Sequence, residues 1–304
     1  MRSARTFALV PRRRFVGVSF GTRRSTRRGQ GDEVVGSRPY RPGDHMAWID
    51  WAASARLSAA HGMDEFVVRE YFAQEAPRAA ILVDRRPSLG LFGPESPWLD
   101  KPTAVVSAAE AIAASAVDAL GEVAYLDHAA PDGHAFWLPP AGRRRLADVR
   151  ARLGEAPFSA PPRALELGLQ TVLRHGHVLP PGSFVFVLSD YLTPIRPGEW
   201  ARLRALRWDV VPVIVQDPTW EQSFPDVRGA VVPFADPATG AVAPTRFTSS
   251  EVRDLALGNE RRLDRTLKTF RHLGFDPVVV GSEDGFAPLA SWAARRQALS
   301  RRAA

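Results

Sequence analysis

Residues 79–84 read AAILVD, a short and uninterrupted apolar run that ends in a carboxylate. Such a run is typical of a strand that is buried on both faces of a parallel sheet. Residues 183–190 read SFVFVLSD and repeat the pattern, with Ser189 and Asp190 at the end. Both stretches predict central strands of one sheet, and each strand ends at an acidic side chain.

The segments around these runs alternate between strand and helix patterns. We predict further strands at 65–72, 122–126, 135–138, 210–215 and 277–281, a hairpin at 228–247, and helices at 102–120, 144–153, 164–174, 199–206, 248–273 and 286–299. This alternation indicates an α/β fold with a doubly wound, mostly parallel sheet covered by helices on both faces. We expect Gly258-Asn259 to loosen the middle of the helix at 248–273.

The predicted sheet also indicates where a site lies. In a doubly wound sheet of strand order 3-2-1-4-5-6, ligands bind beside the carboxyl ends of the first and fourth strands, where the order reverses. Counted along this chain, those strands end at Asp84 and at Ser189-Asp190. Two carboxylates about 4 Å apart repel each other by roughly 4 kcal/mol at an effective dielectric of about 20, so something must neutralise them.

A second informative stretch, residues 38–56, reads RPYRPGDHMAWIDWAASAR and places charged side chains among large apolar ones. We predict that Asp44 accepts backbone N–H groups at the start of a short helical turn. That turn would place Trp48 and Trp51 on one apolar side.

Asp50 lies between two large apolar residues of this stretch, where a carboxylate needs a partner. The candidate partners are Arg38, Arg41 and Arg56. On residue chemistry alone, the plainest interpretation is an ion-pair cluster that holds a loop in place.

The same residues form a spaced signature. It consists of Gly29-x-Gly31-x-Glu33, Arg38-x-Tyr40-x-Pro42-Gly43-Asp44 and Ile49-Asp50-Trp51-x-x-Ser54-Ala55-Arg56. This signature resembles that of the domain of unknown function 58 family, except at Ala47 and Trp48, where the family usually has arginine. The resemblance implies a von Willebrand factor A-like domain behind the signature and a partnership with a MoxR-type AAA+ ATPase. It also implies that the signature cluster docks or braces the site through Arg38, Tyr40, Gly43, Asp44, Asp50, Trp51 and Arg56.

A von Willebrand factor A-like domain further implies a metal-ion-dependent adhesion site. That site uses Asp-x-Ser-x-Ser after the first strand, a threonine from another loop, and an aspartate after the fourth strand, with Mg²⁺ as the ion. Residues 84–88 read DRRPS, so Arg86 stands in the place of the first serine. A guanidinium has no acceptor to offer a cation. Asp84, Ser88 and Asp190 are the metal ligands that remain in this degenerate site.

Two hypotheses follow for the arginines of this segment. In one, Arg86 or Arg85 occupies the place of the metal and neutralises the two carboxylates, so that the site is metal-independent and no cofactor is needed. In the other, Arg86 points into solvent and the site is vestigial. The residues predicted to face a partner are Asp84, Arg86, Ser88, Ser189 and Asp190.

Composition limits the classes of function. The chain of 304 residues has no cysteine, which excludes disulfides, thiolate zinc sites and cysteine nucleophiles. It has no phosphate-binding glycine loop and no recognised nucleophile turn, so we expect a protein that is not an enzyme. No apolar run approaches the ~20 residues of a membrane span, and no signal-like core follows the N terminus, so we expect a cytoplasmic location.

The formal net charge of +7 suggests an alternative. Basic surfaces neutralise phosphates, but only Lys101 and Lys268 are lysines among the 40 basic residues, a skew more typical of coding bias than of a binding surface. The densest basic run is N-terminal and comprises Arg12, Arg13, Arg14, Arg23, Arg24, Arg27 and Arg28. The alternative is a nucleic-acid or anionic-surface binder that works through this arginine-rich arm.

We therefore divide the chain into three parts. Residues 1–36 are an Arg/Gly-rich arm, residues 37–78 are a signature region packed on the sheet domain, and residues 79–304 are the von Willebrand factor A-like domain. The predicted function is a protein-interaction module that acts as an adaptor or chaperone-like partner of a MoxR-type AAA+ ATPase, with proteins encoded beside it as further partners. We favour these protein partners over nucleic acid.

Overall fold

Two structural units make up the chain. One comprises residues 13–75, and the other comprises residues 1–12 together with residues 76–304. The computed structural model describes residues 5–11, 34–42, 44, 46–71, 76–91, 99–129, 134–235 and 241–303. None of the described helices has both the length and the apolar character needed to cross a lipid bilayer.

The smaller unit pairs two antiparallel strands with one helix. Its elements are β1 (Val34–Pro39), α1 (Trp51–His61) and β2 (Val67–Tyr71). Asp50 caps the start of α1 by accepting the Ala53 N–H, and Gly62 ends the helix at a φ of 68°, a left-handed conformation that glycine adopts without steric penalty. The Ser54 hydroxyl accepts the Val67 N–H, which ties the helix to β2.

The larger unit contains the remaining elements of the described chain. The strands are β3 (Arg78–Val83), β4 (Glu122–Asp127), β5 (Phe136–Ala141), β6 (Phe184–Ser189), β7 (Asp209–Val215), β8 (Val231–Ala235), β9 (Val242–Arg246) and β10 (Val278–Val280). The helices are α2 (Lys101–Asp118), α3 (Arg145–Glu155), α4 (Ala164–Arg174), α5 (Pro197–Ala205), α6 (Ser249–His272) and α7 (Phe286–Ala303). The predicted elements are present, with ends that differ by a few residues.

Six of these strands form one sheet in the order β10-β7-β6-β3-β4-β5. Neighbouring strands are parallel except for β5, which is antiparallel to β4. When only these six strands are numbered along the chain, and the sheet is viewed from β5, their order is the doubly wound 3-2-1-4-5-6. The predicted α/β fold with a mostly parallel sheet is confirmed. Strands β8 and β9 pair separately as an antiparallel hairpin.

The central strand β3 supports two hydrophobic cores. Ile81 and Val83 pack in one core with residues of α2 and α7, whereas Leu82 packs in the other with residues of α4 and α5. Because successive side chains of a strand point to opposite faces, an uninterrupted apolar run needs both cores. Gly168 of α4 lies so close to β3 that a Cβ there would be 2.6 Å from a methyl carbon of Leu82.

The described N-terminal residues 5–11 pack against the rest of the larger unit. The Phe7 ring lies 6.2 Å from the Phe286 ring and 6.4 Å from the Trp292 ring, measured between centroids. Arg5 forms an ion pair of 2.7 Å with Asp284. This part of the predicted arm is therefore irregular in backbone but contacts the sheet unit. The arginines at positions 12–28 lie outside the described residues.

Helix α6 differs from its prediction in the middle. The capping box of Thr248 and Glu251 is present, as its spacing predicted. The expected loosening at Gly258-Asn259 is wrong, because the helix is continuous from Ser249 to His272. The Asn259 side chain instead donates hydrogen bonds to the carbonyl oxygens of residues 220 and 223, which attaches the helix to the chain after β7.

Replacing Gly258 by alanine should stabilise the protein. A Cβ at this position meets no atom within 4 Å, and alanine is favoured over glycine in a helix by about 0.5–1 kcal/mol. We expect a gain of that size in the free energy of unfolding, measured by chemical denaturation. Gly274→Ala is the matched control, because the φ of +82° at Gly274 should make alanine destabilising there. An unchanged or lower stability in Gly258→Ala would contradict the continuous helix.

Candidate functional site

The acidic ends of β3 and β6 meet at one edge of the sheet. Val83 pairs with Leu188 in parallel register, and the Asp84 N–H donates to the Leu188 carbonyl oxygen at 2.9 Å. Asp84 and Asp190 therefore follow adjacent strands, as predicted, and both are buried. Burial without a partner would strongly disfavour either charge, so the neighbours of these carboxylates decide what the site can do.

The Arg86 guanidinium lies between the two carboxylates. Its Nε and Nη2 donate to Asp84 Oδ2 at 2.8 and 2.6 Å, and Nη2 lies 3.5 Å from Asp190 Oδ1. Arg86 is only 7% exposed, so it does not point into solvent. Burial opposes its charge, but the attraction of Asp84 and the hydrogen bonds to it outweigh burial and raise the pKa of Arg86 above its ordinary value. Of the two candidate arginines, it is Arg86 that bridges the pair.

Hydroxyl groups complete the contacts of Arg86. Ser189 Oγ donates to Asp84 Oδ2 at 2.7 Å and accepts from Arg86 Nη2 at 3.2 Å. Arg86 Nη1 donates to Thr193 Oγ1 at 3.1 Å, a contact that the sequence analysis missed. Ser88 is buried in the short 3-10 turn after Arg86 and forms no hydrogen bond with Asp84 in the described part of the chain.

A second buried cation, Lys101, approaches the other oxygen of Asp190. Its ammonium lies 3.7 Å from Asp190 Oδ2 and donates to Glu221 Oε1 at 2.6 Å, and its exposure is 0%. Glu221 Oε2 accepts the Asp217 N–H. Burial raises the pKa of Glu221, and the attraction of Lys101 opposes that shift. The Lys101–Glu221 pair therefore lies directly beside the predicted site.

The sequence carried one signal for Lys101 that the prediction did not use. Lys101 is the first residue of α2, and the dipole of a helix disfavours a cation at that end. A lysine at this position is therefore stabilised only if an acidic side chain lies near it. Nothing in the sequence indicated that this partner is Glu221, which lies 120 residues away.

The loop after β6 is held by the same cluster. Tyr191 has a φ of +50°, a conformation that non-glycine residues rarely adopt. The Leu192 N–H donates to Asp190 Oδ1, and the Gln216 side chain donates to the Asp190 carbonyl oxygen. Together with the Arg86 contact to Thr193, these hydrogen bonds define the path of the loop.

Arg85 serves a separate buried cluster. Its guanidinium is fully buried and donates to the Ala156 carbonyl oxygen just after α3 and to the Tyr125 hydroxyl, both at 3.1 Å. Asp127 accepts from Tyr125 and from Arg152, at 2.9 and 2.6 Å. Arg85 therefore attaches α3 to the sheet and has a structural role.

In this arrangement, the side chains at the sheet edge do not offer the ligands that a magnesium ion needs. Both oxygens of Asp84 accept hydrogen bonds from Arg86, whose nitrogen atoms have no lone pair to offer a cation. Magnesium requires oxygen ligands in nearly ideal octahedral geometry. A cation would have to displace Arg86 to reach both Asp84 and Asp190.

The predicted partner-facing residues are all internal. Each of them is less than 9% exposed, and they are Asp84, Arg86, Ser88, Ser189 and Asp190. The exposed part of this edge is the loop that follows them, including Thr193, Pro194 and Arg196. A macromolecule that approaches the edge meets this loop before it meets the carboxylates.

The signature residues of the smaller unit form two ion pairs. Arg38 donates to both oxygens of Asp44 at 2.7 and 2.8 Å, and Asp44 also accepts the Arg41 N–H at 2.8 Å. The partner of Asp50 is Arg69 of β2, at 2.9 Å, so the prediction of Arg38, Arg41 or Arg56 as that partner is wrong. Asp50 is already held in place by its role as the cap of α1.

The other signature residues have local roles. Tyr40 pairs through its backbone N–H with the Phe66 carbonyl oxygen, and Arg56 Nε donates to a carbonyl oxygen of its own helix. The predicted apolar side is exposed, because Trp48 and Trp51 are 45% and 59% accessible. Gly43 lies outside the described residues. These contacts agree with the interpretation of an ion-pair cluster that holds a loop.

Residues 36–262, well over half of the chain, match the family described as Protein of unknown function DUF58. The chain belongs to the DUF58 family. The match begins within β1 and ends within α6, so it includes the signature residues from Arg38 to Arg56 and both carboxylates of the sheet edge, whereas Gly29, Gly31 and Glu33 precede it.

Relatives of this DUF58 chain include the uncharacterised proteins Rv1480 of Mycobacterium tuberculosis and Mb1516 of Mycobacterium bovis. Each is 28% identical over 254 residues, which cover 76% of this chain and 69% of the relative. Similar solved structures include BatB from Bacteroides thetaiotaomicron, with 14% identity and a TM-score of 0.39 over 75% of this chain and 98% of that chain. An aerotolerance-related membrane protein from Bacteroides fragilis has 13% identity and a TM-score of 0.40 over 74% and 97% of the two chains. At these TM-scores the two structures support no argument about this protein.

Removing the Arg86 guanidinium should destabilise the DUF58 protein strongly. Breaking a buried ion pair by deleting one partner typically lowers the free energy of unfolding by about 3–5 kcal/mol, and we expect a loss of that size in Arg86→Ala. Arg196→Ala is the matched control, because the Arg196 side chain is 71% exposed, and its loss should change stability by no more than about 0.5 kcal/mol. Chemical denaturation measures both, and equal small effects would contradict the bridging role of Arg86.

The pKa of the Asp44 carboxyl should lie well below that of an ordinary aspartate. Hydrogen bonds from Arg38 and from the Arg41 N–H lower its pKa to about 2. Because the folded pKa is depressed, the contribution of Asp44 to stability is present above pH ~4 and is lost as the pH falls toward about 2. A carboxyl carbon NMR titration checks this value. Arg38→Gln should move the pKa back up, whereas titration near pH 4 in the unaltered protein would contradict the prediction.

Proposed function

We propose that this protein is a non-enzymatic protein-interaction module, built on a von Willebrand factor A-like domain, that acts as an adaptor or chaperone-like partner of a MoxR-type AAA+ ATPase. The observation that carries the proposal is the position of Arg86. Its guanidinium neutralises Asp84 and Asp190 from within the chain, as expected for a degenerate metal-ion-dependent adhesion site that no longer needs Mg²⁺. The ATPase partnership comes from the family resemblance of the signature residues.

Two features of the sheet support the domain type. The strand order 3-2-1-4-5-6 brings the ends of the first and fourth strands together, and an aspartate follows each of them. Membership of the DUF58 family supports the assignment of the signature.

The electrostatics of the edge support a role without catalysis. A carboxylate that acts as a general acid or base must reach a substrate within hydrogen-bond distance. Asp84 and Asp190 are buried and already paired with Arg86 and Lys101. In the proposed role, these ion pairs position the exposed loop after β6, and the loop contacts the partner.

The alternative function, a nucleic-acid or anionic-surface binder, depends on the arginines at positions 12–28. These residues lie outside the described part of the chain, so this alternative stays a prediction. The two functions differ in salt dependence, because contacts with phosphates weaken steeply as salt rises, whereas a docking interface with an apolar centre weakens much less.

The test is an affinity capture from native extract after nuclease treatment, with bound proteins identified by mass spectrometry. It compares the unaltered protein with Asp190→Asn, with Arg196→Glu in the exposed loop, and with a variant whose arginines at positions 12–28 are glutamine. The arginines are substituted and the N-terminal segment is kept, because residues 5–11 contact the helix and loop around Asp284 and Phe286. Arg196→Glu keeps the test valid if Asp190→Asn does not fold.

We expect recovery of an AAA+ ATPase that survives the arginine replacement and falls at least about tenfold in Arg196→Glu, as for a residue within an interface. Loss of all partners after nuclease treatment would contradict the adaptor role and favour the alternative. A separate titration calorimetry experiment with MgCl₂ tests metal independence. Binding at micromolar Kd that disappears in Asp84→Ala would overturn it.

A further inference from the structure

A groove of about 780 Å³ lies between the loop after β6 and one face of α6. The helix residues that line the groove recur every three or four positions from Glu251 to Thr269, which is the spacing of a single helix face. At 1.5 Å per residue this face is about 27 Å long. Leu192, Ile195 and Phe247 add apolar surface to the groove.

The face of α6 carries opposite charges toward its two ends. Asp254 lies near the start of the helix, and Arg265 lies eleven positions further along the same face. Both side chains are exposed, and neither forms an ion pair with another residue that the structure describes. Each charge is therefore available to a molecule in the groove.

The remaining charged residues of the face reinforce this polarity. Glu251 lies at the acidic end, where its carboxylate also completes the capping box with Thr248. Arg262 lies at the basic end and donates to the Asn259 side-chain oxygen and the Glu221 carbonyl oxygen, both of which are uncharged groups. The groove is thus acidic at one end, basic at the other and apolar along its side.

We propose that this groove binds an extended segment of a partner protein that carries one basic and one acidic side chain about five residues apart. The eleven positions from Asp254 to Arg265 correspond to about 16 Å along the helix, and an extended chain covers this distance in about five residues. The basic side chain pairs with Asp254, the acidic side chain pairs with Arg265, and apolar side chains between them contact Leu192 and Ile195. The inference deepens the interaction role proposed above and rests on it.

The charge pattern disfavours segments of uniform sign. A wholly acidic segment would be attracted to Arg262 and Arg265 but repelled by Asp254 and Glu251. A wholly basic segment would be attracted to the two carboxylates and repelled by the two arginines. Juxtaposed like charges at an interface are strongly unfavourable, which makes them an effective source of specificity.

Gly258 offers a way to close the groove without altering its charges. It lines the middle of the groove, is exposed, and has no atom within 4 Å of an added Cβ. Gly258→Trp should therefore fill the groove while α6 remains intact. Gly258→Ala is the matched control, because it makes the same backbone change without filling the space.

The experiment selects a phage-displayed library of random dodecapeptides on the unaltered protein and counter-selects it on Gly258→Trp. Circular dichroism and denaturation confirm that each variant is folded. We expect enriched peptides with an acidic and a basic residue about five positions apart and apolar residues between them. In fluorescence anisotropy, synthetic copies should bind Gly258→Ala as they bind the unaltered protein and should bind Gly258→Trp at least about tenfold more weakly.

Charge reversal then tests the register. Arg265→Glu makes both ends of the groove acidic, so it should weaken binding of the selected peptides and favour copies whose acidic residue is replaced by lysine. No groove-dependent enrichment, enrichment without the charge spacing, or unchanged preference in Arg265→Glu would each overturn the proposal. Because no ATPase takes part, these outcomes are independent of whether the partner proposed above is correct.

Discussion

Two carboxylates buried at the ends of adjacent strands need positive charge beside them, and the larger unit is arranged around that requirement. The parallel pairing of β3 with β6 places Asp84 and Asp190 at the same edge of the sheet. An unpaired carboxylate in such a position would be strongly destabilising. Arg86 and Lys101 supply the positive charge, so the centre of the sheet depends on two side chains that lie outside its strands.

These two cations connect segments that are distant in sequence. Lys101 begins α2 and reaches Glu221, which in turn holds the backbone after β7 through the Asp217 N–H. Arg86 follows β3 and reaches Thr193 in the loop after β6. A single arrangement of charges thus positions a helix start, a loop and a turn relative to the sheet. The same residues therefore give this edge of the sheet a defined surface.

The sequence allowed accurate prediction wherever local pattern determines structure. The buried strands were recognisable because β3 and β6 have apolar residues on both faces, and the capping box at Thr248 because its partner is three residues away. Long-range pairing was not predictable in the same way. Asp50, at the start of α1, pairs with Arg69 of β2, and several arginines nearer in sequence are equally plausible on chemistry alone.

The candidate site shows the same division between local and distant contacts. The sequence predicted an arginine beside Asp84 because Arg85 and Arg86 follow it directly, but it left open which arginine that is and whether Arg86 points into solvent; the structure assigns Arg86. The contributions of Lys101 and Thr193 depend on how helices and loops pack over the sheet edge, which residue patterns do not encode. Burial was also not predictable, since polar residues at a strand end are usually exposed.

In the proposed interaction role, neutralisation within the chain leaves partner recognition to residues other than the carboxylates. A partner gains little from a buried aspartate that already has an internal cation, because the aspartate is shielded from contact and its charge is opposed within the chain. The exposed charges of α6, Asp254 and Arg265, have no such internal partner among the described residues. Arg262 joins the two regions, because it lines the groove and donates to the Glu221 carbonyl oxygen beside Lys101. In the proposed interaction role, the buried ion pairs act as the support, and the helix face and the loop after β6 provide the surface that a partner contacts.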